Sequence, residues 1–84
     1  MERWQSPQSV SGGLNDAITQ LERLLASDSL GADTKSQIQE LMQNCHQIAQ
    51  TLEDQQIPYE QRQELAGAGR QVLEALVQNQ LFIP

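Results

Sequence analysis

The chain has 84 residues, a net charge of −6 and a single cysteine. A chain of this length forms one domain. The acidic balance argues against binding to nucleic acid or to an anionic membrane surface, because both require basic patches. A single Cys cannot form an intrachain disulfide, and no run of about eighteen apolar residues is available to span a bilayer. The first residues also lack the apolar run of a signal peptide, so we expect a cytoplasmic protein.

The N-terminal segment, residues 1–13, lacks helical periodicity and is rich in Ser, Gln, Gly and Pro. This composition predicts a flexible tail ahead of a single helical domain at residues 14–84. Trp4 is the only Trp and lies in this segment. It can dock back onto the domain, act as an aromatic anchor for a partner, or make no contact.

The first predicted helix covers residues 14–27. Its apolar side chains recur at steps of three and four, which places them on one face. They are Leu14, Ile18, Leu21 and Leu25. Ser11 or Gly13 is the predicted N-cap. Residues 21–25 match the LxxLL pattern that docks into hydrophobic grooves, but these leucines are needed to cover the second helix and we assign them to the core.

The second predicted helix covers residues 34–55 and carries the stripe around which the fold is organised. Its members are Ile38, Leu41, Cys45, Ile48 and Leu52. Thr34 and Gln37 have the spacing of a capping box at the start of this helix, with Asp33 as the rival cap. The helix should stop before Pro58, because proline disfavours a helical conformation for the residue before it.

The third predicted helix covers residues 58–82, with Pro58 at its first position. Gly67 and Gly69 lie in its interior, where each Gly costs about 1 kcal/mol relative to Ala. They either allow another helix to approach closely or divide the segment in two, and we expect one continuous helix. The apolar end, Leu81, Phe82 and Ile83, either closes the end of the bundle or meets a partner.

These elements predict an all-α fold, a three-helix antiparallel bundle in which short connections make neighbours antiparallel. No segment alternates with a period of two, so no strand is expected. The apolar faces are wider than a two-helix seam requires. A closed monomeric bundle is one solution, and a homodimer that shares a larger bundle is the other; the small core favours self-association.

The residues that could carry chemistry do not form a catalytic or metal site. Cys45 and His46 are adjacent, and consecutive helical positions do not face each other. A zinc site requires four ligands, and the chain has no further Cys or His. We therefore predict no enzyme activity, no metal and no cofactor. A phosphorelay role for His46 is the lowest-ranked alternative.

The function predicted from the sequence is that of a non-catalytic protein–protein interaction module, such as an adaptor, a small chaperone or a regulatory subunit. It would present an apolar helical surface, and its acidic charge would favour a partner with a basic surface. The candidate partner-binding residues are Trp4, Gly67, Gly69, Leu81, Phe82 and Ile83. The alternative is a structural subunit of a larger helical assembly. The apolar end leaves open whether the chain is a full protein or a domain of a longer one.

Overall fold

The computed structural model describes residues 4–83 and shows three helices packed against one another. They are α1 (Pro7–Leu25), α2 (Ala32–Glu53) and α3 (Tyr59–Gln78). The predicted all-α three-helix bundle is confirmed, and no strand occurs anywhere between Trp4 and Ile83. The helix boundaries differ from the predicted ones at several ends, and Pro58 is the N-cap of α3 rather than its first helical residue.

Helix α1 begins at Pro7 rather than at residue 14, so residues 7–13 of the predicted tail are helical. Ser6 is the N-cap and forms a capping box with Ser9: the Ser9 amide donates to the Ser6 hydroxyl oxygen at 3.2 Å, and the Ser6 amide donates to Ser9 Oγ at 3.0 Å. Pro7 occupies the first turn, where a missing N–H costs nothing. Residues 1–3 of the predicted tail lie outside the described residues.

The predicted caps of the first two helices are wrong. Ser11 and Gly13 lie inside α1 and are buried. Helix α2 begins at Ala32, with Gly31 as its N-cap and no side-chain cap bond, so Thr34 and Asp33 are already within the helix. The helix starts early because Gly31 itself adopts the extended cap conformation, with φ −71° and ψ 161°.

Helix α3 is continuous through Gly67 and Gly69, as expected, but it ends at Gln78 rather than at residue 82. The cause is a Schellman turn at its C-terminus. Gln80 adopts a left-handed conformation with φ 61°, and the Leu81 amide donates to the Leu76 carbonyl oxygen at 2.8 Å. Residues 81–83 therefore leave the helix axis and fold back along the bundle.

The hydrogen bonds and close approaches between helices give the topology. Ser11 near the start of α1 bonds to Glu53 at the end of α2, so these helices are antiparallel. Gly69 of α3 faces Val10 and Leu14 of α1 as well as Ile48 of α2. Helix α3 therefore lies in the groove between the other two.

The core is centred on α1 rather than on α2, which the sequence places at the centre of the fold. Seven residues of α1 are buried, against four in α2 and four in α3. Cys45 is fully buried among them, as its place in the stripe predicts. The buried hydrophobic residues are Val10, Leu14, Ala17, Leu21, Ile38, Cys45, Ala49, Leu52, Ala66, Leu73, Leu76 and Phe82.

Candidate functional site

The turn after α3 places the last described residues against α1. Phe82 enters the core and is 3% exposed, whereas the next residue, Ile83, is 77% exposed. The Gln20 side-chain amide forms two hydrogen bonds with the Ile83 backbone: Nε2 donates to the Ile83 carbonyl oxygen at 2.7 Å, and Oε1 accepts from the Ile83 amide at 2.9 Å. The amide of Gln20 thus pairs with the segment as a neighbouring strand would.

A hollow of about 430 Å³ lies between this segment and the second half of α1. We call it the C-terminal hollow, and it is lined by Gln20, Arg23, Leu24, Gln80, Leu81 and Ile83. Leu24 and Leu81 are half-buried and pack against the core. Among the described residues of the lining, Arg23 is the one charged side chain, although the chain as a whole is acidic.

Trp4 docks onto the bundle beside the same segment. Its ring stacks on the Phe82 ring, with centroids 6.2 Å apart and an interplanar angle of 26°. The Arg70 Nε atom donates to the Trp4 carbonyl oxygen at 3.0 Å. A Cβ atom built on Gly13 would lie 2.5 Å from the indole Nε1, so the missing side chain at this position makes room for the indole.

The structure therefore brings together four of the six predicted partner-binding residues. Trp4 contacts Phe82, and Leu81 and Ile83 line the C-terminal hollow. Phe82 is nevertheless interior, so its role is to anchor the segment rather than to present a surface.

Gly67 and Gly69 do not belong to this surface. Gly69 is buried where α3 crosses α1, and an added Cβ would lie 2.7 Å from Val10 Cγ1. Gly67 faces open space, with no atom within 4 Å of an added Cβ. The close-packing interpretation of the glycines thus holds for Gly69 alone.

The lining also contains three residues that are not among the predicted partner-binding residues. Gln20, Arg23 and Leu24 lie on α1 and complete the hollow. The LxxLL pattern includes Leu24, which the sequence assigns to the core; Leu24 is half-buried, packs against the core and also lines the hollow. Nothing local marks Gln20, because its partner Ile83 is 63 residues away in the sequence.

A second, polar cleft of about 340 Å³ lies where α1 meets the end of α2 and the start of α3. The buried Ser11 hydroxyl donates to Glu53 Oε1 at 2.8 Å, and Asn15 Nδ2 donates to the same oxygen at 3.4 Å. The Arg62 guanidinium lies 5.6 Å from the Tyr59 ring centroid, and its buried Nε has no hydrogen-bond partner within residues 4–83. Ser11 and Glu53 tie α1 to α2 across this cleft.

The side chains of Cys45 and His46 lie on different faces of α2, as expected for adjacent helical positions: Cys45 is buried and His46 is exposed. Burial raises the pKa of the Cys45 thiol from 9.0 to about 11, which keeps it protonated and unreactive at neutral pH. His46 is exposed, and its Nε2 lies 3.0 Å from Gln50 Nε2 one turn further along α2. Across the described part of the chain, no group of three or more His, Cys, Asp or Glu side chains is arranged to hold a metal ion.

Comparisons with protein-family models, with curated proteins and with solved structures found no match to this chain. Among the helices described here, none is both long enough and apolar enough to cross a membrane.

Proposed function

We propose that this protein is a non-catalytic protein–protein interaction module that binds its partner at the C-terminal hollow. The observation that carries the proposal is the state of Ile83, a large apolar side chain that is exposed and yet held in place. Only Tyr59 and Ile83 are exposed large hydrophobic residues in the described chain. Of these two, Ile83 is the more exposed, and it borders an apolar hollow.

The fixed position of Ile83 distinguishes it from an apolar residue on a loose chain end. Two hydrogen bonds with the Gln20 side chain restrain the Ile83 backbone, one donated by Gln20 and one accepted by it, and the buried Phe82 ring precedes Ile83. A segment ordered before binding loses less conformational entropy when a partner arrives. Burial of an Ile side chain contributes about 1.5–3 kcal/mol, which is the size of one anchor contact.

A free thiol in the core also suits a cytoplasmic location for this module. Cys45 is the single cysteine and is buried. In a reducing compartment such a thiol serves as a small apolar core residue.

The proposal is tested by removing the anchor without disturbing the bundle. We expect Ile83→Asp to abolish capture of the partner from a native lysate, as measured by affinity purification and mass spectrometry. Tyr59→Asp is the matched control, because it places the same charge at the other exposed large hydrophobic residue. Both variants should retain the helical circular dichroism of the wild type.

Two results would count against this assignment. Capture of the same proteins by Ile83→Asp and by the wild type would remove Ile83 from the contact. Loss of capture with Tyr59→Asp alone would move the surface to the start of α3.

A further inference from the structure

We propose that the C-terminal hollow receives a peptide segment in which an apolar side chain lies next to a carboxylate, and that the carboxylate pairs with Arg23. This inference rests on the proposed function and adds the chemistry of the partner. The apolar group and the carboxylate of the partner segment correspond to the apolar side chains and the arginine that line the hollow.

The apolar part of the hollow accepts one aliphatic or aromatic side chain. Leu24 on α1 and Leu81 on the returning segment are half-buried, and Ile83 stands exposed beside them. These side chains come from two elements that Gln20 fixes relative to each other. The apolar lining is therefore held in place before a partner binds, and a single inserted side chain can contact both elements.

The charged part of the hollow is Arg23, which is exposed. The residues three and four positions away from Arg23 are Thr19 and Gln20 on α1 and Ala26 and Ser27 just after it, none of which is acidic. Glu22 precedes Arg23 directly, and adjacent helical positions do not face each other. Arg23 is exposed at the lining of the hollow, where its planar donor fork can reach the carboxylate of a bound segment.

A second copy of the chain fits the hollow less well than a partner with this chemistry. A two-fold contact places the same patch on both sides. The Arg23 side chains would then face linings without an Asp or Glu side chain, because Arg23 is the only charged residue among the described residues that line the hollow. The net charge of −6 also opposes association of two copies.

The net negative charge of the chain and the positive charge of Arg23 act on different parts of a partner. The net charge of −6 attracts a basic protein over distance. The contact itself requires an acidic group at Arg23. The partner that meets both conditions has a basic surface around an apolar and acidic segment.

The test is selection from a random-peptide display library on the immobilised full chain. We expect the wild type to enrich peptides with Asp or Glu close to a large apolar residue, and Arg23→Glu to enrich Lys or Arg at that position. A synthetic peptide from the wild-type selection should bind Arg23→Glu about tenfold more weakly by fluorescence anisotropy. Lys35→Glu carries the same change in net charge on α2, outside the lining, and should bind like the wild type.

The outcomes separate this inference from the proposed function. Enriched peptides that bind wild type and Ile83→Asp equally would overturn both. Peptides that require Ile83 but show no acidic preference, and bind Arg23→Glu unchanged, would overturn the partner chemistry while leaving the interaction surface in place. A dimer at micromolar concentration that Ile83→Asp dissociates and that competes with the peptides would make a second copy the occupant, which also overturns the inference.

Discussion

Gly69 and Gly67 offer a comparison of two identical substitutions in one helix. Both residues lie in the interior of α3, so replacement by Ala removes the same conformational freedom from the unfolded chain. The two sites differ in space. A Cβ at Gly67 has no neighbour within 4 Å, whereas a Cβ at Gly69 lies 2.7 Å from Val10 Cγ1. Any difference in stability between the two variants therefore reports the packing of α3 against α1 and α2 at Gly69.

The magnitude follows from the contacts at Gly69. Gly→Ala in a helix interior stabilises by about 1 kcal/mol, and this contribution applies at both sites. At Gly69 the new methyl group also lies 3.2 Å from Ile48 Cγ2. Val10 is fully buried and β-branched, so it cannot turn away at low cost. Overpacking of this kind costs about 1–3 kcal/mol. We expect Gly67→Ala to stabilise by about 1 kcal/mol and Gly69→Ala to be less stable than Gly67→Ala by about 1–3 kcal/mol.

Thermal unfolding followed by circular dichroism measures this difference. For a domain of this size 1 kcal/mol shifts Tm by about 4–8 °C, so Gly67→Ala should melt at least about 4 °C above Gly69→Ala. Val10→Ala should cost less in the Gly69→Ala background than in the wild type, because it removes the clashing methyl groups. A Tm of Gly69→Ala equal to or above that of Gly67→Ala would refute the close approach of α3 to α1.

Two further predictions concern Trp4 and Cys45. Gly13→Ala places a methyl group 2.5 Å from the Trp4 indole Nε1, so we expect the indole to leave the Phe82 ring and its fluorescence, the only Trp signal in the chain, to shift to longer wavelength. Gly12→Ala, which enters open space, should leave the emission unchanged, and equal spectra for both variants would contradict the docking of Trp4. Burial raises the pKa of Cys45 from 9.0 to about 11, so the protonated thiol is favoured in the folded state. The contribution of Cys45 to the free energy of unfolding should therefore be complete below pH 9 and fall as the pH rises towards 11. Urea unfolding should show this loss in the wild type and not in Cys45→Ala, and identical pH profiles would count against a buried thiol.

The helices of this protein are predictable because their periodicity is local. Stripes with steps of three and four residues identify all three helices and place Cys45 inside. The sequence also contains the signals for the observed start of α1. Ser6 and Pro7 are favoured residues for the N-cap and the first turn, and Val10 extends the apolar stripe by one turn. The adjacent Gly12 and Gly13 have low helix propensity, so the sequence favours a non-helical segment at these positions.

The candidate surface was only partly predictable because it depends on contacts between distant residues. The apolar chain end marks Ile83 without indicating that Phe82 turns inward. Phe82 points inward and Ile83 outward because the chain turns at Gln80, which adopts a left-handed conformation. Gly is the usual residue at such a turn, so a Gln at this position does not predict it. The bond from Gln20 to Ile83 joins residues 63 positions apart, and no spacing rule connects them.

The same contacts explain why both ends of the described chain belong to one structural unit. Phe82 lies between two restraints: the Trp4 ring stacks on it, and Gln20 holds the backbone of Ile83 immediately after it. An exposed Ile next to a buried Phe can keep a fixed orientation only when the backbone between them is restrained. Trp4 supplies that restraint through the Phe82 ring and Gln20 supplies it through the Ile83 backbone. Trp4 lies outside the lining of the C-terminal hollow. The surface at Ile83 is therefore a product of the bundle as a whole rather than of a loose terminus.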